Sequence, residues 1–205
     1  MTTGSLTRRM LAGAMGVALA LGQVALADDS AALQALLRGT SALEASFEQV
    51  VQRHNGTVQR STGVVALQRP QRFMLHTAEP DELVLFTRED GVYYYDPFVN
   101  QLSIYPLSRL DSSPFALLTG DSETVWARYE VKKQGSSYVL TPTERSEIKS
   151  LKLEFKNNKI STIVINLPDG STNTYTLHSP RDTLTAGIFD YHIPKDAEVD
   201  DERQR

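Results

Sequence analysis

The sequence of 205 residues contains no cysteine. It therefore forms no disulfide bond, and it offers neither a thiol nucleophile nor a cysteine-based zinc site. It also has no cysteine to which a lipid anchor could be attached. An exported protein without disulfides has to be held together by its hydrophobic core alone. We therefore expect a protein that is stabilised by its core and is not itself lipidated.

Histidine is scarce, and familiar catalytic motifs are missing. The four histidines do not stand at metal-ligand spacing with one another or with a carboxylate on the same face: His54, His76, His178 and His192. The sequence also contains no G-x-S-x-G, H-E-x-x-H or P-loop pattern. We expect that the protein is not an enzyme and that it uses no metal and no cofactor.

The N-terminus has the pattern of a secretory signal peptide. Two arginines precede an apolar stretch over 10–21, which is too short to span a bilayer, and residues 25–27, Ala-Leu-Ala, form a small-x-small cleavage site. We expect residues 1–27 to be cleaved off after export to the periplasm, leaving one mature domain over 28–205. Loss of the two arginines makes the net charge more negative than −4. This charge disfavours nucleic acid and anionic membrane surfaces as partners.

The rest of the chain shows short and evenly spaced strand patterns. Alternating apolar residues and turn signals predict about ten or eleven strands, with helical patterns over 28–37 and 107–119. A meander of this length curls into a barrel or a bent half-barrel, whose concave face can bury the apolar sides of the helices. A short strand over 189–193 and a frayed tail over 200–205 are expected at the C-terminus.

Aromatic residues are concentrated over residues 92–98, which read Val-Tyr-Tyr-Tyr-Asp-Pro-Phe. Strand alternation places Tyr93 and Tyr95 on one face of the sheet and Tyr94 on the other. Two interpretations are equally open from the residues alone. These aromatic side chains belong either to ordinary sheet packing or to the lining of an apolar cavity.

Six short motifs along the chain resemble the LolA family of periplasmic lipoprotein carriers. They are ASFEQ at 45–49, RPQRF at 69–73, DGVYYYDPFVNQ at 90–101, SPFALL at 113–118, YVLTP at 138–142 and VDDERQR at 199–205. Each motif is modest alone, but their order and spacing behind an N-terminal leucine helix are specific. The resemblance implies a mainly β fold with α-helices, namely an unclosed antiparallel β-barrel with a lid of short helices over an apolar cavity.

The resemblance also implies a function and its partners. Members of the family receive a lipoprotein released by an ABC transporter of the inner membrane and shield its acyl chains in the cavity. They then deliver the lipoprotein to an acceptor lipoprotein in the outer membrane. On this basis we expect a monomeric periplasmic chaperone that does not insert stably into a membrane. A binding module with the same fold for another apolar or lipid ligand is the alternative.

The family's motifs imply roles for particular residues. Arg69 and Pro70 match a latch, in which the five fixed donors of the arginine bind lid carbonyls and hold the empty cavity shut; a surface ion pair is the alternative for Arg69. Phe73 matches an aromatic residue at the cavity mouth that contacts lipid and partners, whereas Leu75 stands where relatives usually have tryptophan. The other expected site residues belong to the lid helices (Leu33, Leu36, Leu37, Phe115, Leu117 and Leu118) or to the cavity lining (Phe47, Tyr93, Tyr95 and Phe98).

Overall fold

The protein is built around one sheet that does not close into a barrel. The structure, a computed structural model, describes residues 22–111, 115–120 and 122–203. The strands are β1 Ala42–Gln52, β2 Val58–Gln68, β3 Arg72–Glu79, β4 Leu83–Arg88, β5 Gly91–Asp96, β6 Gln101–Tyr105, β7 Tyr129–Gln134, β8 Ser137–Pro142, β9 Ser150–Lys156, β10 Lys159–Asn166, β11 Thr172–Arg181 and β12 Glu198–Asp201. All twelve belong to one sheet with the order β12-β6-β5-β4-β3-β2-β1-β11-β10-β9-β8-β7. Strands β12 and β7 are its two edges, which confirms the predicted unclosed architecture.

Helices accompany the sheet at two places in the described part of the chain. They are α1 Gly22–Arg38, before the first strand, and α2 Ser108–Asp111, α3 Ala116–Thr119 and α4 Glu123–Trp126, between β6 and β7. Helix α1 ends where Gly39 N donates to Ala35 O over 3.1 Å. The later helices are single turns, and α3 ends at Gly120, whose extended backbone separates it from α4.

Strand alternation gives the sheet two different faces. The lid face, which we define as the face toward the helices, carries Phe73 of β3, and the outer face carries the neighbouring Met74. The buried side chains of the lid face include Leu33, Leu37, Leu43, Phe47, Leu67, Phe73, Leu117, Leu118, Trp126, Leu140, Leu151 and Tyr175. Those of the outer face are Ala66, Met74, Val84, Phe86, Tyr93, Tyr95, Leu102, Ile104 and Phe189. The core is therefore divided by the sheet into two layers.

Irregularities in strand pairing help to bend the sheet around the lid face. The register shifts between Glu44 and Ser46 in β1, and again between Thr62 and Gly63 in β2. Bulges of this kind bend a strand and increase its twist. Gly63 also allows a close approach of the chain, because a Cβ at this position would collide with the carbonyl oxygen of His76. The concave lid face therefore results partly from pairing defects in the central strands.

The C-terminal segment differs from the sequence-based expectation. Residues 189–193 form no strand; they belong to an irregular segment over 182–197, here called the C-terminal cover, whose Phe189 is buried against the outer face. The frayed tail expected over 200–205 is wrong for its described residues 200–203, because β12 pairs in parallel with β6 from Glu198–Gln101 to Asp201–Ile104, while residues 204–205 lie outside the described residues. Paired backbone groups at the sheet edge hold these charged residues in place.

The N-terminal prediction is largely outside the described residues. Residues 1–21 of the predicted signal peptide over 1–27 are not described. Helix α1 begins at Gly22 and runs across the position expected for cleavage, rather than starting at residue 28. The cleavage site and the single mature domain over 28–205 therefore stay predictions.

Candidate functional site

The turn between β2 and β3 joins the sheet to a lid helix. Its Arg69 N donates to Ser41 O over 2.9 Å, just before β1. On the other side, Arg69 Nη1 donates to Gly120 O over 3.2 Å, and Gln71 N donates to Thr119 O over 3.2 Å. Because Thr119 and Gly120 form the end of α3, this turn holds one end of that helix against the rim of the sheet. We call residues 69–71 the latch turn.

Helix α3 is a short hydrophobic plug. All four of its residues are buried, and the side chains of Leu117 and Leu118 lie in the lid-face core. Just before the helix, the ring of Phe115 packs 4.8 Å from the ring of Phe73 and 6.0 Å from that of Tyr175. The side chains of this lid segment therefore occupy the concave apolar face themselves.

Helix α1 supplies the second part of the lid. Leu33 and Leu37 are buried in the lid-face core, and Leu36 is partly buried against it. The carboxylate of Asp29 accepts a hydrogen bond of 2.9 Å from the backbone N of Lys133 in β7. Since β7 is an edge strand, α1 covers an edge that would otherwise present open backbone groups.

Polar side chains limit the apolar floor beneath the lid. Phe47 of β1 packs edge-on against Tyr175 of β11, with ring centroids 5.6 Å apart. Further along the same face, Gln49 Nε2 donates 3.0 Å hydrogen bonds to the hydroxyl of Tyr175 and to Asn173 Oδ1. Burial raises the pKa of Tyr175 although these two neighbours hydrogen-bond to it, so the hydroxyl stays neutral at physiological pH. The alternation of Tyr175 with Leu177 is the sequence signal that could have indicated this residue.

The predicted cavity lining is wrong for three residues. Tyr93 and Tyr95 are buried on the outer face, where Tyr95 lies 6.0 Å from Tyr191 of the C-terminal cover. Strand alternation instead turns Val92 toward the lid face. Phe98 is 90% exposed because it lies in the tight turn after β5, where its backbone N donates to Asp96 Oδ1 over 2.9 Å. Among the predicted lining residues, the structure places Phe47 beneath the lid.

A buried carboxylate fixes the beginning of the C-terminal cover. Glu44 is 6% exposed on the outer side of β1, where it accepts hydrogen bonds from Thr185 N over 2.6 Å and Thr185 Oγ1 over 2.9 Å. It also pairs with the guanidinium of Arg181. Burial by itself would raise the pKa of Glu44, but the hydrogen bonds from Thr185 and Arg181 outweigh it and leave that pKa below its usual value. Glu44 is therefore ionised at neutral pH.

Metal ligation and membrane spanning find no support in the described residues. In the ranges given above, no three histidine, aspartate or glutamate side chains gather closely enough to ligate a metal ion. Within the same ranges, no helix combines the length and the apolar character needed to cross a membrane.

An open half-barrel, with one apolar face closed by short helices that are tied to its rim, defines the structural class of this protein. The family model described as "Outer membrane lipoprotein carrier protein LolA" matches residues 38–192. The chain belongs to the LolA family. This is a family of carriers rather than of enzymes, as the sequence motifs predicted.

Individual relatives agree with this assignment. The outer-membrane lipoprotein carrier protein of Haemophilus influenzae is 33% identical over 192 residues, which cover 91% of this chain and 94% of the relative. That of Shewanella amazonensis is 31% identical over 185 residues, covering 87% and 91%. The crystal structure of a DUF1329 family protein from Desulfovibrio piger superposes with a TM-score of 0.50 at 9% identity, covering 82% of this chain and 98% of the other. This last similarity concerns the fold alone.

Proposed function

We propose that this protein is a periplasmic lipoprotein carrier. It takes up lipoproteins released from the inner membrane by an ABC transporter, encloses their acyl chains on the lid face and delivers them to an acceptor at the outer membrane. In this proposal residues 1–27 direct export and are removed, and residues 28–205 form the working domain, which acts as a monomer. The relatives' names and the arrangement of the lid support this function.

The observation that carries the proposal is the packing of the lid segment into the concave face. The concave face is filled by side chains of the lid segment, namely Phe115, Leu117 and Leu118. A ligand that moves this segment aside can take the place of these side chains. Each methylene of an acyl chain in water costs about 0.8 kcal/mol, and a long chain on the order of ten kcal/mol. Acyl chains that displace the lid side chains would regain this free energy without exposing the sheet.

The latch turn favours the closed, empty form over the open form that holds acyl chains. Contacts of Arg69 and Gln71 with the end of α3 stabilise the closed, empty form and are not available once the lid has moved. A ligand that requires the open form must therefore overcome them. Weaker latch contacts shift the balance toward the loaded form, which slows the release of the cargo. Release without nucleotide hydrolysis thus depends on the stability of the closed lid.

The test is to look for bound lipoprotein in the protein purified from the periplasm, by native mass spectrometry. We expect one-to-one complexes with triacylated lipoproteins, and a larger complexed fraction for Arg69→Leu. Arg72→Leu is the matched control. Arg72 is an exposed arginine just after the latch turn, and its guanidinium lies 4.5 Å from the ring centroid of Phe189 in the C-terminal cover.

The possible outcomes separate the carrier from the latch. Equal occupancy in the wild-type protein and both variants would retain the carrier and reject the latch. If no acylated protein binds in any of them, the carrier function is wrong. A smaller apolar ligand found in the same spectra would then favour the alternative of a binding module with this fold.

A further inference from the structure

The pairing of β3 with β4 stops beside the latch turn. The last pair in register is Met74–Phe86, and the next residue of β4 is Thr87. Two backbone groups that precede Met74, namely Phe73 N of β3 and Gln71 O of the latch turn, bind the side chain of Thr87 instead of its backbone. A single hydroxyl thus continues the ladder at the point where the chain leaves the sheet.

The geometry uses both hydrogen-bonding capacities of that hydroxyl. Phe73 N donates to Thr87 Oγ1 over 2.9 Å, and Thr87 Oγ1 donates to Gln71 O over 2.7 Å. Phe73 O lies 3.5 Å away as the more distant of the two possible acceptors. A hydroxyl has one proton to donate and lone pairs to accept with, so both short bonds form together. Thr87 is 6% exposed, and water has little access to replace it.

These bonds fix the residue that binds the lid. Gln71 is bonded through its carbonyl to Thr87 and through its N–H to Thr119 O at the end of α3. It also has a positive φ of 62°, in the left-handed region that residues other than glycine adopt infrequently. Holding Gln71 in this conformation directs its N–H toward the lid, and it keeps Arg69, two residues earlier in the latch turn, within reach of Gly120 O.

We propose that Thr87 is a positioning residue of the latch: its hydroxyl holds the latch turn in the conformation that binds the end of α3. The inference rests on the proposed function, because it assigns Thr87 a part in closing the lid over the acyl-chain site. Removing the hydroxyl leaves Phe73 N–H and Gln71 C=O without their partner in the closed form. An open lid lets the turn relax, so the loss falls mainly on the closed form.

The direct test is the affinity of the purified protein for a synthetic triacylated lipopeptide. Thr87→Val keeps the shape of the side chain but removes the hydroxyl. We expect it to bind the lipopeptide at least about tenfold more tightly, since the closed form loses two buried hydrogen bonds, whose net contribution is of that order. Thr87→Ser keeps the hydroxyl and should bind as the wild type does. Thr77→Val is the matched control, because Thr77 is similarly buried in β3 but lies far along the strand from the latch turn.

A double-mutant cycle separates positioning from general packing. If Thr87 acts through the latch turn, the effect of Thr87→Val shrinks in the Arg69→Leu background, whereas independent effects add. Wild-type affinity in Thr87→Val, an equal change in Thr77→Val, or full additivity with Arg69→Leu would each overturn the proposal. Thr87→Ala replaces the valine variant if the latter does not fold, with the same expected direction.

Hydrogen exchange distinguishes failure of this inference from failure of the proposed function. Without any lipopeptide, the amide of Gln71 should exchange faster in Thr87→Val and at the wild-type rate in Thr77→Val. If the wild-type protein binds no lipopeptide, the carrier function is wrong, and the exchange of Gln71 alone decides whether Thr87 positions the turn. Equal exchange in both valine variants would reject that role.

Discussion

The two faces of the sheet are covered in different ways. On the lid face, single-turn helix α3 is tied at its end to the latch turn, and its side chains fill an apolar surface. On the outer face, the C-terminal cover is anchored at its beginning by Glu44 and is followed by β12, which joins the edge of the sheet. One cover is a short plug that the latch turn ties to the sheet at its end, while the other is fastened by a buried carboxylate at its beginning and by strand pairing after its end.

The difference teaches how one fold combines a fixed and a replaceable layer. The irregular C-terminal cover on the outer face is stabilised by hydrogen bonds to a buried, ionised carboxylate and by the strand pairing that follows it. The lid segment gains its stability from apolar packing, which an acyl chain can imitate. We therefore expect substitutions in the outer layer to lower global stability, and substitutions in the lid to change the population of the open form.

The largest effect is expected for Phe86→Ala in the outer layer. Phe86 is fully buried between the rings of Tyr93 and Tyr191. Its truncation should lower the free energy of unfolding by about 3–5 kcal/mol, the range found for buried phenylalanines. Urea denaturation at neutral pH measures this loss. A loss as small as that of an exposed residue would show that the outer layer is not a permanent core.

Glu44→Gln tests the anchor of the C-terminal cover. The variant loses the charge that binds Thr185 N and Arg181, and we expect it to lower stability by about 1.5–3 kcal/mol at pH 7. The pKa of Glu44 in the folded protein lies below its ordinary value of 4.5. Its contribution is therefore fully present above that value and is lost as the pH falls through the folded-state pKa.

The pH dependence supplies the internal control for Glu44. Unfolding of the wild type and of Glu44→Gln is measured from neutral to acidic pH. The difference in the free energy of unfolding between the two proteins should become smaller as the pH falls. A difference that stays constant or grows with acidification would contradict an ionised, hydrogen-bonded Glu44.

Leu117→Ala should be less costly than full burial suggests. Buried leucines usually lose about 2–5 kcal/mol on truncation to alanine. Leu117 lies in the lid, which can open while the sheet stays folded. The substitution therefore cannot lower the free energy of unfolding by more than the free energy that keeps the lid closed, because a greater loss makes the open form the populated one. We expect a loss below about 2 kcal/mol in urea denaturation. Leu140→Ala, in the same core but within β8, is the control that should show the full cost.

The smallest effect concerns Tyr191 of the C-terminal cover. Burial, together with the nearby carboxylate of Glu82, raises the pKa of Tyr191 to about 12. Because the folded-state pKa lies above the unfolded value, its contribution to stability is present below pH 10 and is lost as the pH rises toward 12. Ultraviolet difference titration against Tyr191→Phe should show this late ionisation. A tyrosine that titrates near 10 would indicate an exposed hydroxyl.

Sequence patterns predicted which side chains of one strand share a face better than they predicted which face of the sheet lies under the lid. Alternation correctly grouped Tyr93 with Tyr95, but it gives no sign of which face lies under the lid. That choice depends on where the C-terminal cover packs, and this cover has no regular period of its own. The burial of the leucines of α1 and α3 was easier to predict, because an amphipathic helix beside a sheet has one apolar face to bury.

The missed residues depend on contacts between distant parts of the chain. Glu44 binds Thr185 across 141 positions, and no local pattern distinguishes it from a surface glutamate. Thr87 resembles any other threonine in a strand until the end of the β3–β4 ladder is known. Phe98 was mispredicted because of a local feature. Its aromatic character suggested burial, but the turn at Asp96 exposes the side chain.

The most direct test of the central claim is hydrogen exchange of the two covers, with and without a bound triacylated lipopeptide. Binding should accelerate exchange over residues 115–120 at the lid and leave residues 184–193 of the C-terminal cover unchanged. The lid would then be the layer that moves to admit acyl chains. Unchanged exchange at the lid, or equal acceleration in both segments, would contradict the account.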